Sequence, residues 1–281
     1  MNTQPKVFAI VLNYNGGDFL YPCLESLYKS DYPNLEIVVC DNASTDGSLE
    51  KAKNKFPKFH FIKNDKNIGF GTGNNVAIRF ALEKMAKYVF LLNNDATVQS
   101  DTISKLIKEA QKDEQIGLMS PLILTPENKI WFAGGKINWL KMKTLHCENI
   151  CKKTEYINGC ACLISQKVFE KVGLFDENFF LYYEDTDLSV RASRNGFKLK
   201  IVKNAIAYHA EKSNELNENK IYWLVLSGIL FFKKNSRWLN KIWINFYLFL
   251  RKIKNKKDLK KNPKNKIAQK VARAYQDATK I

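Results

Sequence analysis

Tyr88-Val89-Phe90-Leu91-Leu92-Asn93-Asn94-Asp95-Ala96-Thr97 is the stretch whose reading decides the fold of this chain. A short run of apolar and aromatic residues reads as a buried strand, and two amides and a carboxylate end it abruptly. A buried strand that delivers Asp95 to its carboxyl end places an acid where α/β sheets bind ligands. The plainer reading is that Asp95 or Ser100 caps the next helix. Three other stretches have the same form, and they favour the first reading.

Lys6 to Leu12 reads as a strand that breaks at Asn13-Tyr14-Asn15-Gly16-Gly17. Leu20, Leu24 and Leu27 share one face of a helix from Phe19 to Ser30. Leu35 to Cys40 is a second strand, running into Asp41-Asn42-Ala43-Ser44-Thr45-Asp46-Gly47-Ser48, with a helix from near Ser44 or Asp46 to Phe56. Phe59 to Lys63 is a third strand. Asn64 to Asn75 then reads as a Gly- and Asn-rich loop before a helix from Val76 to Ala86. The order β-α-β-α-β-loop-α-β implies a mostly parallel sheet with helices on both faces. All its strand ends then lie on one edge, so Asn13, Asp41, the 67–75 loop and Asp95 are expected to converge. Gly69-x-Gly71-x-Gly73 is not the dinucleotide fingerprint G-x-G-x-x-G and follows the third strand, which argues against a nicotinamide-dependent oxidoreductase.

Further on, Lys105 to Lys112 lies on a helix and Gly117 to Leu124 is a strand. Ile130 to Leu145 reads as a β-excursion over the site, with Trp131 and Trp139 either packing residues or sugar platforms. Tyr156 to Ile164 is a strand with small residues at its centre, and Ser165 caps a helix through Val172. Phe175 to Leu188 is the most informative run. Aromatics surround Glu184, Asp185 and Asp187, ahead of an amphipathic helix from Asp187 to Asn195. An acidic first helical turn accounts for Asp187. It does not account for Glu184 and Asp185 following so apolar a run, where burial raises a carboxylate's pKa and suits a general base. His209, one of only three histidines, closes the last strand region and is either structural or a metal or phosphate ligand.

The formal charge of +17 is unevenly spread. From Lys233 to Ile281, sixteen Lys and Arg stand against two Asp, which places +14 in the tail and leaves +3 for the first 232 residues. Such a tail suggests an anionic partner. Residues 1–6 do not read as the start of an export signal, so the six cysteines are expected to be free thiols in a reducing cytoplasm. Cys147-x3-Cys151 and Cys160-x-Cys162, with His146 adjacent, lack the paired two-residue gaps usual for zinc.

Taken together, Val11-Leu12-Asn13-Tyr14-Asn15-Gly16, Asp41 to Ser48, Asn67 to Asn75, Leu92-Asn93-Asn94-Asp95, Val172 to Phe180, Glu184-Asp185-x-Asp187-Leu188 and His209 resemble the family 2 glycosyltransferases, inverting enzymes of the GT-A fold. Within them the likeness is to rhamnosyltransferase-like enzymes of bacterial surface polysaccharide and lipopolysaccharide assembly. It covers about residues 6–212. The resemblance implies a GT-A catalytic domain over residues 1–215, a Rossmann-like, mostly parallel α/β sheet with flanking helices, and a helical, basic extension over 216–281. It assigns Asn13, Asn15, Asp41, Asn67, Gly69, Gly73, Asn93 and Asn94 to a UDP-sugar or dTDP-sugar donor, with Asp41 accepting from the base imide. The family's metal motif stands here as Asn93-Asn94-Asp95, so Asp95 offers the only carboxylate, with His209 joining it around Mn²⁺ or Mg²⁺. Asp185 matches the base that takes the proton from an acceptor hydroxyl, and Glu184 is the runner-up. Asp187 caps or braces its helix. Ser227-Gly228 stands near the position of a family Arg-Asn pair, and no role is carried over there. The implied acceptor is a glycan or a lipid-linked glycan. The alternative is a non-catalytic nucleotide-sugar-binding scaffold of the same fold.

Tyr222 to Phe232 and Trp238 to Leu250 are apolar runs, each short of the ~20 residues that span a bilayer. They read either as helices packed on the domain or as interfacial helices flanked by Lys and Arg. The reading favoured is peripheral attachment to the inner face of the cytoplasmic membrane through the basic tail. Nucleic acid is not the expected partner, since no recognised binding module accompanies the charge.

Overall fold

The computed structural model describes residues 4–210, 218–236 and 238–280. The expected domain boundary at 215–216 lies outside them. The strands are β1 (Val7–Asn13), β2 (Leu35–Asp41), β3 (His60–Lys63), β4 (Tyr88–Asn93), β5 (Ala96–Val98), β6 (Ile116–Leu124), β7 (Ile130–Phe132), β8 (Gly135–Asn138), β9 (Lys143–His146), β10 (Ala161–Ser165) and β11 (Lys198–His209). The helices are α1 (Leu20–Tyr28), α2 (Ser48–Lys55), α3 (Phe70–Glu83), α4 (Thr102–Ala110), α5 (Gln166–Val172), α6 (Glu184–Arg194), α7 (Glu218–Asn235), α8 (Trp238–Lys261) and α9 (Lys266–Asp277).

One sheet runs in the order β3-β2-β1-β4-β10-β6-β11-β5, with β7 paired to β6. β1 is central because its side chains are apolar on both faces, as a strand covered by helices on both sides requires. Two apolar clusters lie on the two faces. Ala77, Ile78 and Ala81 of α3, with Val168 and Leu188, build one; Leu20 and Leu24 of α1, with Ile103 and Leu106 of α4, build the other.

The register positions the site. β1, β2 and β4 run parallel, with Asn13 opposite Asp41 and Leu12 opposite Asn93. β10 enters antiparallel between β4 and β6, so its first residues arrive at the edge where β4 ends. Asn93 N–H donates to Cys160 O at 2.8 Å there. β11 pairs antiparallel with β5, His209 opposite Ala96, and this sets His209 beside Asp95. The sheet is therefore mixed where residues 130–209 join it, and parallel through β3-β2-β1-β4 as the alternating pattern implied.

Several elements depart from the sequence reading. α3 starts at Phe70, so the expected loop after Gly69 is helix. Its glycines are there for close packing: a Cβ at Gly73 would stand 2.7 Å from Leu12 Cδ1 and 2.9 Å from Asn42 Oδ1. Neither Asp95 nor Ser100 caps a helix, since Asp95 opens the turn into β5. α6 begins at Glu184, three residues earlier than expected, because Tyr182 and Tyr183 take left-handed conformations (φ 69° and 67°) that turn the chain sharply into it. For a non-glycine residue that conformation costs roughly 1–2 kcal/mol.

The cysteines need a correction. Cys147 and Cys151 form a disulfide; Cys23, Cys40, Cys160 and Cys162 are buried and take no part in a disulfide. The backbone brings the pair together, because Cys147 N–H donates to Gly134 O and Cys151 N–H to its neighbour Ala133 O.

In the tail, α7 packs as core. Phe231 and Phe232 are fully buried against Trp139 and Tyr183, so Trp139 is a packing residue. The joint is polar as well. Asp187, fully buried in α6, takes Arg191 Nε on Oδ2 at 2.7 Å and Asn235 Nδ2 and Lys234 Nζ of α7 on Oδ1 at 2.8 and 2.9 Å. Arg191 also donates to the carbonyls of Val172 and Leu174. Removing Asp187 leaves the partly buried Arg191 guanidinium and the buried Asn235 amide without their carboxylate partner. Asp187→Ala is expected to lower unfolding stability by about 3 kcal/mol, read from urea melts. A loss below about 1 kcal/mol, the scale of an exposed ion pair, would show that this joint does not hold the tail.

Candidate active site

A cavity of about 390 Å³ opens at the carboxyl edge of β4. Asn93, Asp95, Glu184, Asp185 and His209 all line it, although they come from β4, the turn after it, α6 and the end of β11.

Asp95 and His209 face one another. Asp95 Oδ1 lies 3.2 Å from His209 Nε2, yet the two are not aligned as a hydrogen bond. Asp95 Oδ1 and His209 Nδ1 are both buried without a hydrogen-bond partner. Buried polar atoms are rarely left this way unless something else binds them. Trp131 closes the back of the histidine, its ring 4.3 Å from the imidazole and edge-on. A buried carboxylate oxygen and an imidazole that share an opening fit a divalent cation. No group of three such ligands occurs among the described residues, so an ion held here would need further ligands from substrate or water.

On the far wall, Asp185 is buried among protein atoms and keeps an edge open to the cavity. Oδ2 accepts from Gly159 N–H at 2.8 Å, and Oδ1 accepts from the Thr186 amide and hydroxyl. Oδ2 therefore keeps a lone pair. Burial raises the Asp185 pKa above the usual carboxylate range, with the hydrogen bonds from Gly159 and Thr186 pulling it back. Glu184 lies deeper, at 5% exposure, and its Oε2 has no partner. Burial, then the Asp185 charge, drive its pKa well above the ordinary value.

The other expected site residues form a hydrogen-bonded shelf beside the cavity and are not among its lining. Asn94 Nδ2 donates to Asn13 Oδ1 at 3.1 Å, and Asn13 Nδ2 donates to Asp41 Oδ1 at 2.8 Å. Asp41 is fully buried and also accepts from Ser44 N–H at 2.8 Å, so both its oxygens are engaged within the protein. Asn15 Oδ1 accepts from Thr45 N–H. Asn67 Oδ1 receives Gly69 N–H and Asn42 Nδ2, while Gly73 lets α3 approach β1. Asp95, Asp185 and His209 share this one cavity, and Asp41 is linked through Asn13 to Asn94, the neighbour of Asp95.

Sequence reasoning missed several wall residues. Tyr156, Gly159, Tyr182, Tyr183 and Lys220 line the cavity, and His146 adds a charge interaction that favours ionised Asp185. The small residues around Gly159 were the one usable signal: a Cβ there would press the Phe70 ring at 3.2 Å.

The family model for glycosyl transferase family 2 matches residues 8–173, more than half of the chain. The chain belongs to glycosyl transferase family 2. Curated members resemble it over most of their length. The low-salt glycan biosynthesis hexosyltransferase Agl10 of Haloferax volcanii is 26% identical over 229 residues, 77% of this chain and 71% of that protein. The dTDP-rhamnosyl transferase RfbF of Shigella flexneri is 25% identical over 247 residues, 82% of this chain and 81% of that protein. Among solved structures, the mannosyltransferase PcManGT of Pyrobaculum calidifontis, in complex with GDP-Man and Mn²⁺, superposes with a TM-score of 0.62 at 17% identity, covering 99% of this chain and 76% of that one. GalNAc-T7 with UDP, GalNAc and Mn²⁺ superposes at 0.65 and 17% identity, over 81% of this chain and 48% of that one. These likenesses establish the GT-A fold for this family 2 member.

Glu184 yields a test on stability alone. Its folded pKa is raised, so above its ordinary value of 4.5 the folded chain holds a proton that the unfolded chain releases. Stability from this group is intact below that pH and falls as pH rises towards the folded pKa. Glu184→Gln removes the ionisation. Its melting temperature is expected to exceed the parent's by about 2–4 °C near pH 8, with the gap closing towards about pH 4.5. A gap independent of pH would contradict a buried, uncompensated carboxyl.

Proposed function

We propose that this chain is an inverting, metal-dependent glycosyltransferase that moves a sugar from a UDP- or dTDP-sugar to a hydroxyl of a lipid-linked glycan acceptor in cell-surface polysaccharide or lipopolysaccharide synthesis. The observation that carries the reading is the single cavity that Asp185 shares with Asp95 and His209, the acid on one wall and the pair on the other. Asp95 Oδ1 and His209 would hold Mn²⁺ or Mg²⁺ against the donor diphosphate. Bound there, the cation offsets the charge that develops on the leaving nucleoside diphosphate.

The nucleotide lies over the ends of β1 and β2 in this reading. Asn13, Asn15, Asn93 and Asn94 border it, with Asn67, Gly69 and Gly73 shaping the floor of α3. Asp41 acts through Asn13 and the Ser44 turn, which it holds in place, because it is itself fully buried. Asp185 Oδ2 takes the proton of the acceptor hydroxyl while that oxygen bonds to C1 and the C1–O bond to the diphosphate breaks. One displacement inverts the anomeric centre. A carboxylate with a raised pKa is a stronger base, so turnover rises with pH through the Asp185 ionisation. Glu184, which lies deeper in the same wall, is the second candidate for the base. The dTDP-rhamnosyl and decaprenol-diphosphate-linked names among the relatives favour this donor and acceptor class.

Asp185→Asn is expected to lower turnover about 10²- to 10⁴-fold. Binding of UDP·Mn²⁺, followed by calorimetry, should stay within about threefold of the parent. Unchanged turnover would remove Asp185 from the chemistry.

No helix of the described residues is long and apolar enough to cross a membrane. α8 nevertheless exposes Trp238, Ile242, Phe246, Phe249 and Ile253 along one face, among lysines. This supports peripheral attachment to the inner face of the cytoplasmic membrane. The full chain is expected to sediment with anionic vesicles and to be released as ionic strength rises. Equal binding to neutral vesicles would remove the role given to the basic tail.

A further inference from the structure

A second cavity, about 260 Å³, lies between the β8–β9 hairpin and helices α7, α8 and α9. It adjoins the first, because Thr144, Tyr183 and Leu224 line both. The Tyr183 hydroxyl meets Thr144, so this pair stands as a partition between them. Gly228 backs the partition: a Cβ there would sit 3.3 Å from the Tyr183 ring. The left-handed backbone at Tyr183 both opens α6 with Asp185 and turns the ring towards this second space.

The lining divides by chemistry. Lys141 and Lys143 of the hairpin and Arg251 of α8 are exposed cations at its rim, while Val225, Ile229 and Leu248 form an apolar wall. Arg251 lies against the hydroxyl of Tyr275. Among the described residues no carboxylate lines the cavity. Three cations without an acid, beside an apolar wall, suit a ligand with an anionic head and an apolar chain. The outer end leads to the lipid-facing stripe. Tyr247 lines the cavity and contacts Trp243, whose indole N–H donates to Leu140 O at the tip of the hairpin. The exposed apolar face of α8 starts beside that contact.

We propose that this second cavity is the acceptor's anchor site: it takes a diphosphate that carries an apolar chain, with Lys141, Lys143 and Arg251 on the diphosphate and the Val225–Ile229–Leu248 wall under the first carbons of the chain. The glycan end of such an acceptor then passes the Thr144–Tyr183 partition towards Asp185, and the chain leaves along α8 into the bilayer. The inference rests on the transfer reading above for its biological sense. The site itself is defined by residues that reading does not use.

The test uses the full-length chain with farnesyl diphosphate as probe, alongside farnesol, inorganic pyrophosphate and UDP·Mn²⁺. The parent is expected to bind farnesyl diphosphate more tightly than either farnesol or pyrophosphate, and saturating UDP·Mn²⁺ should not displace it. Lys143→Glu and Arg251→Glu are each expected to weaken it about tenfold or more, the effect of losing one charge-assisted contact. Lys143→Arg and Arg251→Lys should retain it, and all four variants should bind UDP·Mn²⁺ as the parent does. Displacement by UDP·Mn²⁺ would place the probe in the donor cavity and overturn the proposal. So would charge-reversal variants with parental affinity, or pyrophosphate binding as tightly as the full probe. Failure of the transfer reading shows elsewhere, as absence of UDP·Mn²⁺ binding by the parent chain, and leaves the farnesyl diphosphate measurements to decide this site on their own.

Discussion

Three carboxylates enter the first turn of α6 out of water, and the way each is compensated ties the molecule together. Asp187 has a full set of partners, Arg191 within its own helix and Lys234 and Asn235 from α7, and so fastens the tail to the sheet domain. Asp185 has backbone and hydroxyl donors, with Gly159 reaching it from the entry of β10. Glu184 has an oxygen with no partner at all. A buried charge is tolerated only when paired or hydrogen-bonded, so the three are compensated differently although they are neighbours in sequence. The first serves architecture, the second keeps an edge open to the cavity, and burial raises the pKa of the third.

That arrangement depends on two left-handed tyrosines. Tyr182 and Tyr183 adopt a backbone conformation that side chains disfavour, and packing of Tyr183 against Phe231 and Gly228 helps to hold it there. α7 is thus more than an appendage. It supplies the rings that hold the turn, the cation and amide that hold Asp187, and Leu224 to the walls of both cavities. Strained backbone clusters at functional sites, and here the tail is what stabilises the strain beside the cavity.

Much of the fold was legible because burial writes itself into local pattern. The apolar runs of β1, β2 and β4, the leucines of α1 and the Ser165 cap were each readable from neighbours a few residues apart, and Ser165 Oγ does accept from Lys167 N–H at 3.3 Å. The readings that slipped are those set by distant partners. The glycines after Gly69 looked like loop because their reason for being glycine, contact with Leu12, Asn42 and Phe175, lies on other elements. Cys147 and Cys151 pair because Gly134 and Ala133 bring their backbones together.

The sequence by itself determined the alternation of strands and helices in the first half of the sheet, the presence of acids at strand ends and the basic character of the tail, since all three follow from composition and short-range periodicity. Only the tertiary structure decided which acids share a space. The antiparallel entry of β10 and the pairing of His209 with Ala96 bring Gly159 to Asp185 and His209 to Asp95, while Asp41 is drawn inward by Asn13 and Ser44. Strand register and direction are set by long-range pairing, and no local spacing of residues encodes them.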